Sequence, residues 1–308
     1  MANIFGIPIL IAIGLGILFP YIAFELVPFG AVFLVLLMYL AGLTIDWNNF
    51  GIRKAFSPAI VVGILFLFII FPVCQWVIAK TLVKDSQYLY GLVLASLCPV
   101  AIVAPFFTKS IEADTELSFT LVVVSMLIFP IISPPVLELL AGKNTNFSSA
   151  PVTRYMILLT TIPVLFGYLT YRFCQPFVDS ISKHIGLANM LCLSALIFIL
   201  FGTAARRINI HYTDYSEILV LLLLVFIQNF AVLALSKTTF SLFFGAKQAF
   251  SMAVSLSMKN YAIAAGILLF YDPKASLVPA LGFVAHAFLF NVIYLTRKTS
   301  YFRPSSAS

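Results

Sequence analysis

Ten long apolar runs, separated by short polar turns, fill almost the whole of this 308-residue chain. A helix of about 20 apolar residues crosses the hydrocarbon core of a bilayer, where the backbone must satisfy its own hydrogen bonds. The pattern therefore predicts an all-α integral membrane protein with ten transmembrane helices. The ten predicted segments are 4–24, 28–46, 57–80, 87–110, 115–141, 151–173, 185–204, 215–236, 240–271 and 275–296.

Composition agrees with a chain that is almost entirely embedded in lipid. Hydrophobic residues make up 62% of the sequence and charged residues 9%, with a mean hydropathy of +1.09. Soluble domains average about 45–50% apolar and about 25% charged residues. We predict one transmembrane domain over 1–308, ending in a short polar tail at 297–308. We expect the first segment to be retained, because it lacks the basic n-region and cleavage site of a signal peptide.

The polar residues form no pattern for a metal, a cofactor or a nucleic acid. The four cysteines form no C-x-x-C pair, the histidines are scattered, and no glycine-rich phosphate loop is present. The net charge of +7 is spread over the loops, without the basic stripe that nucleic-acid binding needs. We expect no cofactor, no metal and no nucleic-acid partner. The bilayer is the expected environment, and although the sequence does not fix the oligomeric state, we expect a monomer.

The distribution of Lys and Arg predicts cytoplasmic N- and C-termini. In that orientation ten of the eighteen lie on the cytoplasmic side, seven lie on the opposite side, and Lys259 lies inside the ninth segment. The excess follows the positive-inside rule for short loops. The predicted location is the cell inner or plasma membrane.

The fourth and ninth segments each carry residues that interrupt a helix. Pro99 and Pro105 lie inside the fourth segment, where each removes a helical hydrogen bond. Lys259 and Asn260 lie near the centre of the ninth, where a lysine costs about 3 kcal/mol on insertion scales. These segments are the fourth spans of two successive sets of five. Paired interruptions at matching places predict two inverted five-helix repeats whose broken helices meet at a central cavity, as in secondary transporters.

Other polar residues inside the spans have simpler interpretations. Gln75, Gln228 and Asn229 are predicted to make hydrogen bonds between helices. Asn146-Phe147-Ser148 matches an N-glycosylation sequon, a motif that is common by chance.

With these features the chain resembles the bile acid:sodium symporter family over nearly its whole length. The resemblance is carried by short motifs in the family's order, namely Ala41-Gly42-Leu43-Thr44, Cys98-Pro99, Leu117-Ser118, Met258, Asn260 and His286. It implies a panel formed by 1–50 and 151–204 and a core formed by 55–141 and 215–296, in which broken helices four and nine cross. It also implies that substrate binds between panel and core, near Pro99, Val100, Ala101, Met258, Asn260 and His286.

The sodium ligands of that family are mostly missing here. Ala104 and Pro105 stand where the family has serine and asparagine, and Ser255 and Lys259 stand where it has glutamate and glutamine. Ser118 is the one side-chain ligand that we can match. The residues equivalent to the crossover and sodium sites are Lys259, Ser255, Ser257, Asn260, Ser118, Ala104 and Pro105.

These departures lead to a hypothesis for the function. The Lys259 ammonium occupies the position of a sodium ion, with unwound carbonyls, Ser255, Ser257 and Ser118 as candidate acceptors. A cation tethered to the chain cannot be carried down a gradient. We therefore expect a sodium-independent, secondary-active or facilitative transporter that moves a small organic anion by alternating access. Positive helix ends at the predicted cavity favour an anion.

Three alternatives stay open at this point. Lys259 could exchange a proton and couple transport to a proton gradient, or the fold could serve a receptor or channel. Ser255 and Lys259, at i and i+4, could also form the dyad of an intramembrane hydrolase. No oxyanion hole is recognisable in the sequence, so we predict that the protein is not an enzyme.

Overall fold

The computed structural model describes residues 2–45, 52–141, 149–207 and 215–296. The predicted sequon at Asn146-Phe147-Ser148 and the predicted tail at 297–308 lie outside these residues. The described residues are helical almost throughout, and no strand occurs among them. The helices are α1 (Ala2–Leu18), α2 (Val27–Thr44), α3 (Pro58–Leu82), α4a (Ser86–Leu97), α4b (Ala104–Ser110), α5 (Thr115–Ala141), α6 (Ala150–Phe173), α7 (Gln175–Arg207), α8 (Tyr215–Ser241), α9a (Ala246–Ser257), α9b (Tyr261–Tyr271) and α10 (Leu277–Thr296), with short helices at Pro20–Glu25 and Ile52–Ala55.

Within the described ranges, seven helices are long and apolar enough to cross a membrane: α2, α3, α5, α6, α7, α8 and α10. The fourth and ninth predicted segments are each divided into two shorter helices, as their interruptions predict. Many large apolar side chains on the outer faces of the long helices are exposed, which suits contact with lipid chains.

Three predicted boundaries were wrong, each for a local reason. The first segment, predicted as 4–24, is interrupted at Phe19, because Pro20 cannot donate the helical hydrogen bond. The seventh, predicted from residue 185, begins at Gln175, since its first turns are helical but polar. The ninth was predicted to begin at 240, whereas α8 continues through Ser241 and α9a begins at Ala246. Polarity marks where a helix leaves the apolar zone, not where it ends.

Two pairs of helices pack closely against one another at glycines. In the pair α1 and α7, a Cβ added at Gly16 would lie 2.7 Å from the carbonyl oxygen of Phe198. A Cβ added at Gly202 would lie 3.0 Å from the carbonyl oxygen of Gly16. In the pair α2 and α6, a Cβ at Gly42 would lie 3.0 Å from the Cα of Gly167. Small residues allow membrane helices to approach this closely.

The remaining helices make reciprocal contacts across the bundle. Helix α4a packs on α10, and α9a packs on α5. Each broken helix also touches the other, with α4a against α9b and α4b against α9a. The two interruptions are therefore brought together in the middle of these helices.

Candidate functional site

The first half of the site is the interruption in α4. Cys98 leaves α4a with φ −58° and ψ 144°, the extended conformation that a residue before proline prefers. The chain regains helix at Ala104, where Pro105 occupies the first turn and needs no helical N–H partner. The predicted break at Pro99 is confirmed, whereas Pro105 lies in the first turn of the second half-helix instead of breaking a helix.

The second half is the interruption in α9. Helix α9a ends at Ser257, Met258 is extended with φ −99° and ψ 95°, and α9b begins at Tyr261. Asn260 occupies the N-cap position of α9b, but its side chain makes no capping hydrogen bond.

The two unwound segments pair with one another through their main chains. Val100 and Lys259 form an isolated antiparallel bridge. The N–H of Ala101 donates to the Met258 carbonyl at 2.8 Å, and the N–H of Asn260 donates to the Pro99 carbonyl at 2.8 Å. Unwound backbone inside an apolar bundle needs such partners, because no lipid atom can supply them.

Side chains from neighbouring helices bind the rest of the unwound backbone. Ser125 of α5 accepts a hydrogen bond from the N–H of Val100 at 3.1 Å. His286 of α10 accepts one at its Nε2 from the N–H of Lys259 at 3.2 Å. His286 is only 5% exposed, and through this hydrogen bond it contacts the crossover directly. Sequence reasoning missed Ser125, because nothing in the sequence distinguishes its hydroxyl from the other hydroxyls of α5.

The Lys259 side chain is buried at the crossover, with 1% of the residue exposed. Its Nζ has no hydrogen-bond partner in the described part of the chain, and it lies 5.7 Å from the ring centroid of Phe71 in α3. The candidate acceptors are engaged elsewhere: Ser255 donates to Ser118 at 2.7 Å, and Ser257 donates to the Val254 carbonyl at 2.9 Å. The structure brings Ser255 and Ser118 together, but neither of them forms a hydrogen bond with the Lys259 side chain.

A cavity of about 450 Å³ lies between α2, α4b and α5. Its wall is mainly apolar, with hydroxyls and two charged groups. The lining residues are Thr44, Ile45, Ile102, Pro105, Phe106, Lys109, Thr115, Glu116, Phe119 and Val122. Of the predicted site residues only Pro105 lines this cavity, whereas Val100, Met258 and Ala104 are fully buried.

The charges at the cavity differ in their pairing. Glu116 forms an ion pair with Lys54 of the short helix Ile52–Ala55. Lys109, at the end of α4b, has no carboxylate partner among the described residues. The open cation at this cavity is therefore Lys109, which the sequence did not distinguish from other loop lysines.

Matching aspartates fix the turns that follow each broken helix. Asp114 accepts a hydrogen bond from the N–H of Leu117 at the start of α5, and Asp272 accepts one from the N–H of Ala275 just before α10. The Asp114 carbonyl also accepts from Ser251 of α9a, whereas Asp272 accepts from Gln87 of α4a. Each turn is thus tied to the opposite broken helix.

A polar cluster closes the end of the bundle near α4a. Asp85 caps α4a through the N–H of Gln87 at 2.8 Å and pairs with Lys274. Burial alone would raise the pKa of Asp85, but the hydrogen bond and charge of Lys274 and the helix amides hold it below its usual value. The same hydrogen bond raises the pKa of Lys274, although burial opposes this. Glu217 of α8 joins the cluster by accepting from the N–H of Asp85 at 2.9 Å.

Gln75, Gln228 and Asn229 were predicted to join helices. Asn229 does so, because its Nδ2 donates to the hydroxyl of Tyr261 at 2.8 Å. The amide of Gln228 and the Nε2 of Gln75 are buried without hydrogen-bond partners in the described structure. For these two residues the predicted helix-joining bonds are not formed.

These helices define a multi-pass membrane protein in which two interrupted helices meet inside the bundle. Residues 31–210, more than half of the chain, match the model of the Sodium Bile acid symporter family, and the chain belongs to this family. The matched residues include the α4 interruption, whereas Lys259 and the α9 interruption lie beyond them.

Relatives at low identity support the same assignment. The chain is 22% identical over 195 residues to the uncharacterized sodium-dependent transporter YocS of Bacillus subtilis (strain 168), a match that covers 63% of this chain and 60% of that protein. It is 27% identical over 179 residues to the probable sodium/metabolite cotransporter BASS2, chloroplastic, of Oryza sativa subsp. japonica, covering 56% and 42%. The matches thus span less than two thirds of either relative.

Proposed function

We propose that this protein is a sodium-independent transporter that moves a small organic anion by alternating access, with Lys259 in place of a transported sodium ion. The observation that carries the proposal is the side-chain nitrogen of Lys259, buried at the crossover with no carboxylate bound to it in the described structure. In the proposal this nitrogen carries a positive charge. A fixed positive charge there disfavours a second cation by direct repulsion.

The reciprocal contacts of the two halves support an inverted-repeat arrangement. Helix α1 packs on α7 much as α6 packs on α2, and both pairs meet at glycines. The turns at Asp114 and Asp272 are capped alike, and each contacts the opposite broken helix. In this proposal the panel at 1–50 and 151–204 rocks against the core at 55–141 and 215–296.

The cavity between α2, α4b and α5 is the proposed entrance for the anion. It lies between a proposed panel helix and two proposed core helices, and its cation is Lys109. Its apolar wall at Ile102 and Phe119 suits a substrate with an apolar body. In the predicted orientation it opens toward the cytoplasm.

The hydrolase alternative finds no support in the geometry. A serine–lysine dyad needs the serine hydroxyl hydrogen-bonded to the lysine amine. Here Ser255 donates to Ser118, and α9a has ended before Lys259 is reached. Proton coupling and a receptor or channel function remain alternatives, and counterflow of a labelled substrate would separate a carrier from a channel.

Sodium independence can be tested before any substrate is known. Wild type and Lys259→Gln would be unfolded thermally over a range of sodium concentrations, with choline keeping ionic strength and chloride constant. A ligand that binds only the folded state raises the midpoint with its concentration. We expect the wild-type midpoint to be the same in sodium and choline. A sodium-specific rise in the wild type would refute the proposal.

A further inference from the structure

Three buried side chains around the α9 interruption carry polar atoms without hydrogen-bond partners in the described chain. They are the Nζ of Lys259, both amide atoms of Gln228 and the Nε2 of Gln75. Lys259 is 1% exposed, and Gln75 and Gln228 are each 5% exposed. Buried polar groups normally have partners, and leaving them without any is costly.

Contacts between α8 and α9 place Gln228 at the level of Lys259. The side chain of Asn229 bonds the hydroxyl of Tyr261, two residues after Lys259. Further along the same antiparallel pair, the Lys237 ammonium lies 5.0 Å from the ring centroid of Phe250. Gln228 immediately precedes Asn229 in α8, so it lies at nearly the same height in the bundle, about 100° further round the helix.

A contact between α9 and α3 brings in Gln75. The Lys259 ammonium lies over the ring of Phe71 at 5.7 Å. Gln75 follows Phe71 by four residues in the same helix, which puts both on one face, a turn apart. From these positions along the helices we place the ammonium and the two amides in one layer of the core, between α3, α8 and α9.

The chemistry of this layer is that of an anion site. An ammonium offers three donors and each glutamine amide offers two. No Asp or Glu of the described residues forms an ion pair with Lys259, and all eleven lie in loops or near segment ends of the sequence. A buried charge needs a counter-charge or hydrogen bonds to offset its lost hydration. The enclosure of all three groups favours a small ion over an organic one.

We propose that Lys259, Gln228 and Gln75 bind a monovalent anion of halide size within the core. The proposal rests on the charged Lys259 of the proposed function. It assigns a counter-ion to that charge and makes Gln228 and Gln75 ligands instead of links between helices. Binding of the anion locks the two interruptions in their paired arrangement.

The test is thermal unfolding of the purified full chain at fixed sodium, with chloride or bromide replacing gluconate at constant ionic strength. We expect the wild-type midpoint to rise by several degrees and to saturate with halide concentration. Gln228→Leu and Gln75→Leu should each reduce this dependence, and Lys259→Met should abolish it. Gln175→Leu, an exposed glutamine at the start of α7, is the matched control and should keep the full rise.

Equal wild-type unfolding midpoints in halide and in gluconate would overturn the proposal. An equal halide effect in wild type and in all three site variants would overturn it too. Should Lys259→Met not fold, the two glutamine variants still decide, because they keep the ammonium and remove only amide donors. Sodium is constant here and chloride is constant in the sodium titration, so the two proposals fail independently.

Discussion

The Nε2 of His286 accepts a hydrogen bond from the main-chain N–H of Lys259 at 3.2 Å, which ties the unwound part of α9 to α10. The imidazole also packs on Tyr261, with ring centroids 4.5 Å apart. Its neighbours in the structure are thus protein groups of the crossover, and it does not line the cavity at α4b. His286 therefore contacts the backbone of the crossover, and its assignment to the substrate by the family resemblance stays a prediction.

Replacing His286 should therefore weaken the crossover. His286→Leu leaves the Lys259 N–H buried without an acceptor, which costs about 1–3 kcal/mol of unfolding free energy. His286→Gln should recover part of the loss, since its Oε1 can accept in a similar place. Thermal unfolding of both variants in detergent measures the difference. Equal midpoints for the two variants would argue that packing, not the hydrogen bond, is what His286 contributes.

Replacing Lys259 by methionine should stabilise the protein in halide-free buffer. Methionine has a similar length and needs no partner, whereas the ammonium is buried without one in the described structure. We expect a gain of about 1–4 kcal/mol, by comparison with the range seen when buried ion pairs are replaced by apolar side chains of similar volume. Lys183→Met, on an exposed part of α7, controls for the loss of a charge. A Lys259→Met variant less stable than wild type in gluconate would contradict this prediction.

The glycine contact between α2 and α6 should tolerate no side chain. A Cβ at Gly167 would lie 2.8 Å from the Cα of Gly42, so Gly167→Ala must push the helices apart. Overpacking of this kind costs about 1–3 kcal/mol. At Gly186 of α7 a Cβ would meet no atom within 4 Å, so Gly186→Ala should be neutral or stabilising. If the unfolding midpoints of both variants fall equally, the contact between α2 and α6 is not the cause of the loss of stability in Gly167→Ala.

The pair of Asp85 and Lys274 should make stability depend on pH at both extremes. The pKa of Asp85 is lowered on folding, so its contribution is present above its unfolded pKa of about 3.9 and is lost as pH falls through the folded value. The pKa of Lys274 is raised on folding, so its contribution is complete below about 10.4 and is lost as pH rises through the folded value.

This dependence is measured by unfolding midpoints between pH 7 and pH 3. We expect the wild type to lose more stability over this interval than Asp85→Asn, which cannot titrate at that position. Asp179→Asn, an exposed change on α7, is the charge-matched control and should follow the wild type. Parallel curves for wild type and Asp85→Asn would mean that the pair contributes nothing to acid stability.

Lys109 should favour anions in the cavity, which a pair of thiol reagents can measure without a known substrate. Phe106→Cys places a thiol in the cavity wall, in a background where Cys74, Cys174 and Cys192 are alanine. We expect an anionic sulfonate reagent to react several-fold faster than its cationic ammonium counterpart, because the Lys109 charge raises the local concentration of anions and lowers that of cations. Lys109→Gln should reduce this ratio and Lys183→Gln should not. An unchanged ratio in Lys109→Gln would remove Lys109 from the proposed entrance.

The helices and their interruptions could be predicted from the sequence because they depend on local properties. Apolar length marks the spans, and a proline or a lysine in mid-span marks a place where a regular helix is costly. Pro99 and Lys259 were sufficient to locate both interruptions. The helix ends at Gln175 and Ala246 were missed, since hydropathy follows the lipid boundary and not the hydrogen-bonded ends of a helix.

The partners of the site residues were decided only by the tertiary structure. In a soluble helix an apolar stripe identifies the buried face, but a helix in lipid is apolar all round and its inner face is not marked. The sequence alone determined that helices α4 and α9 would be interrupted and that Lys259 would lie at one of the interruptions. Packing decided that Ser255 binds Ser118 and that His286 binds the backbone of Lys259. Each of these contacts joins residues from different helices, so its distance depends on how the helices rotate and cross, which no local pattern specifies.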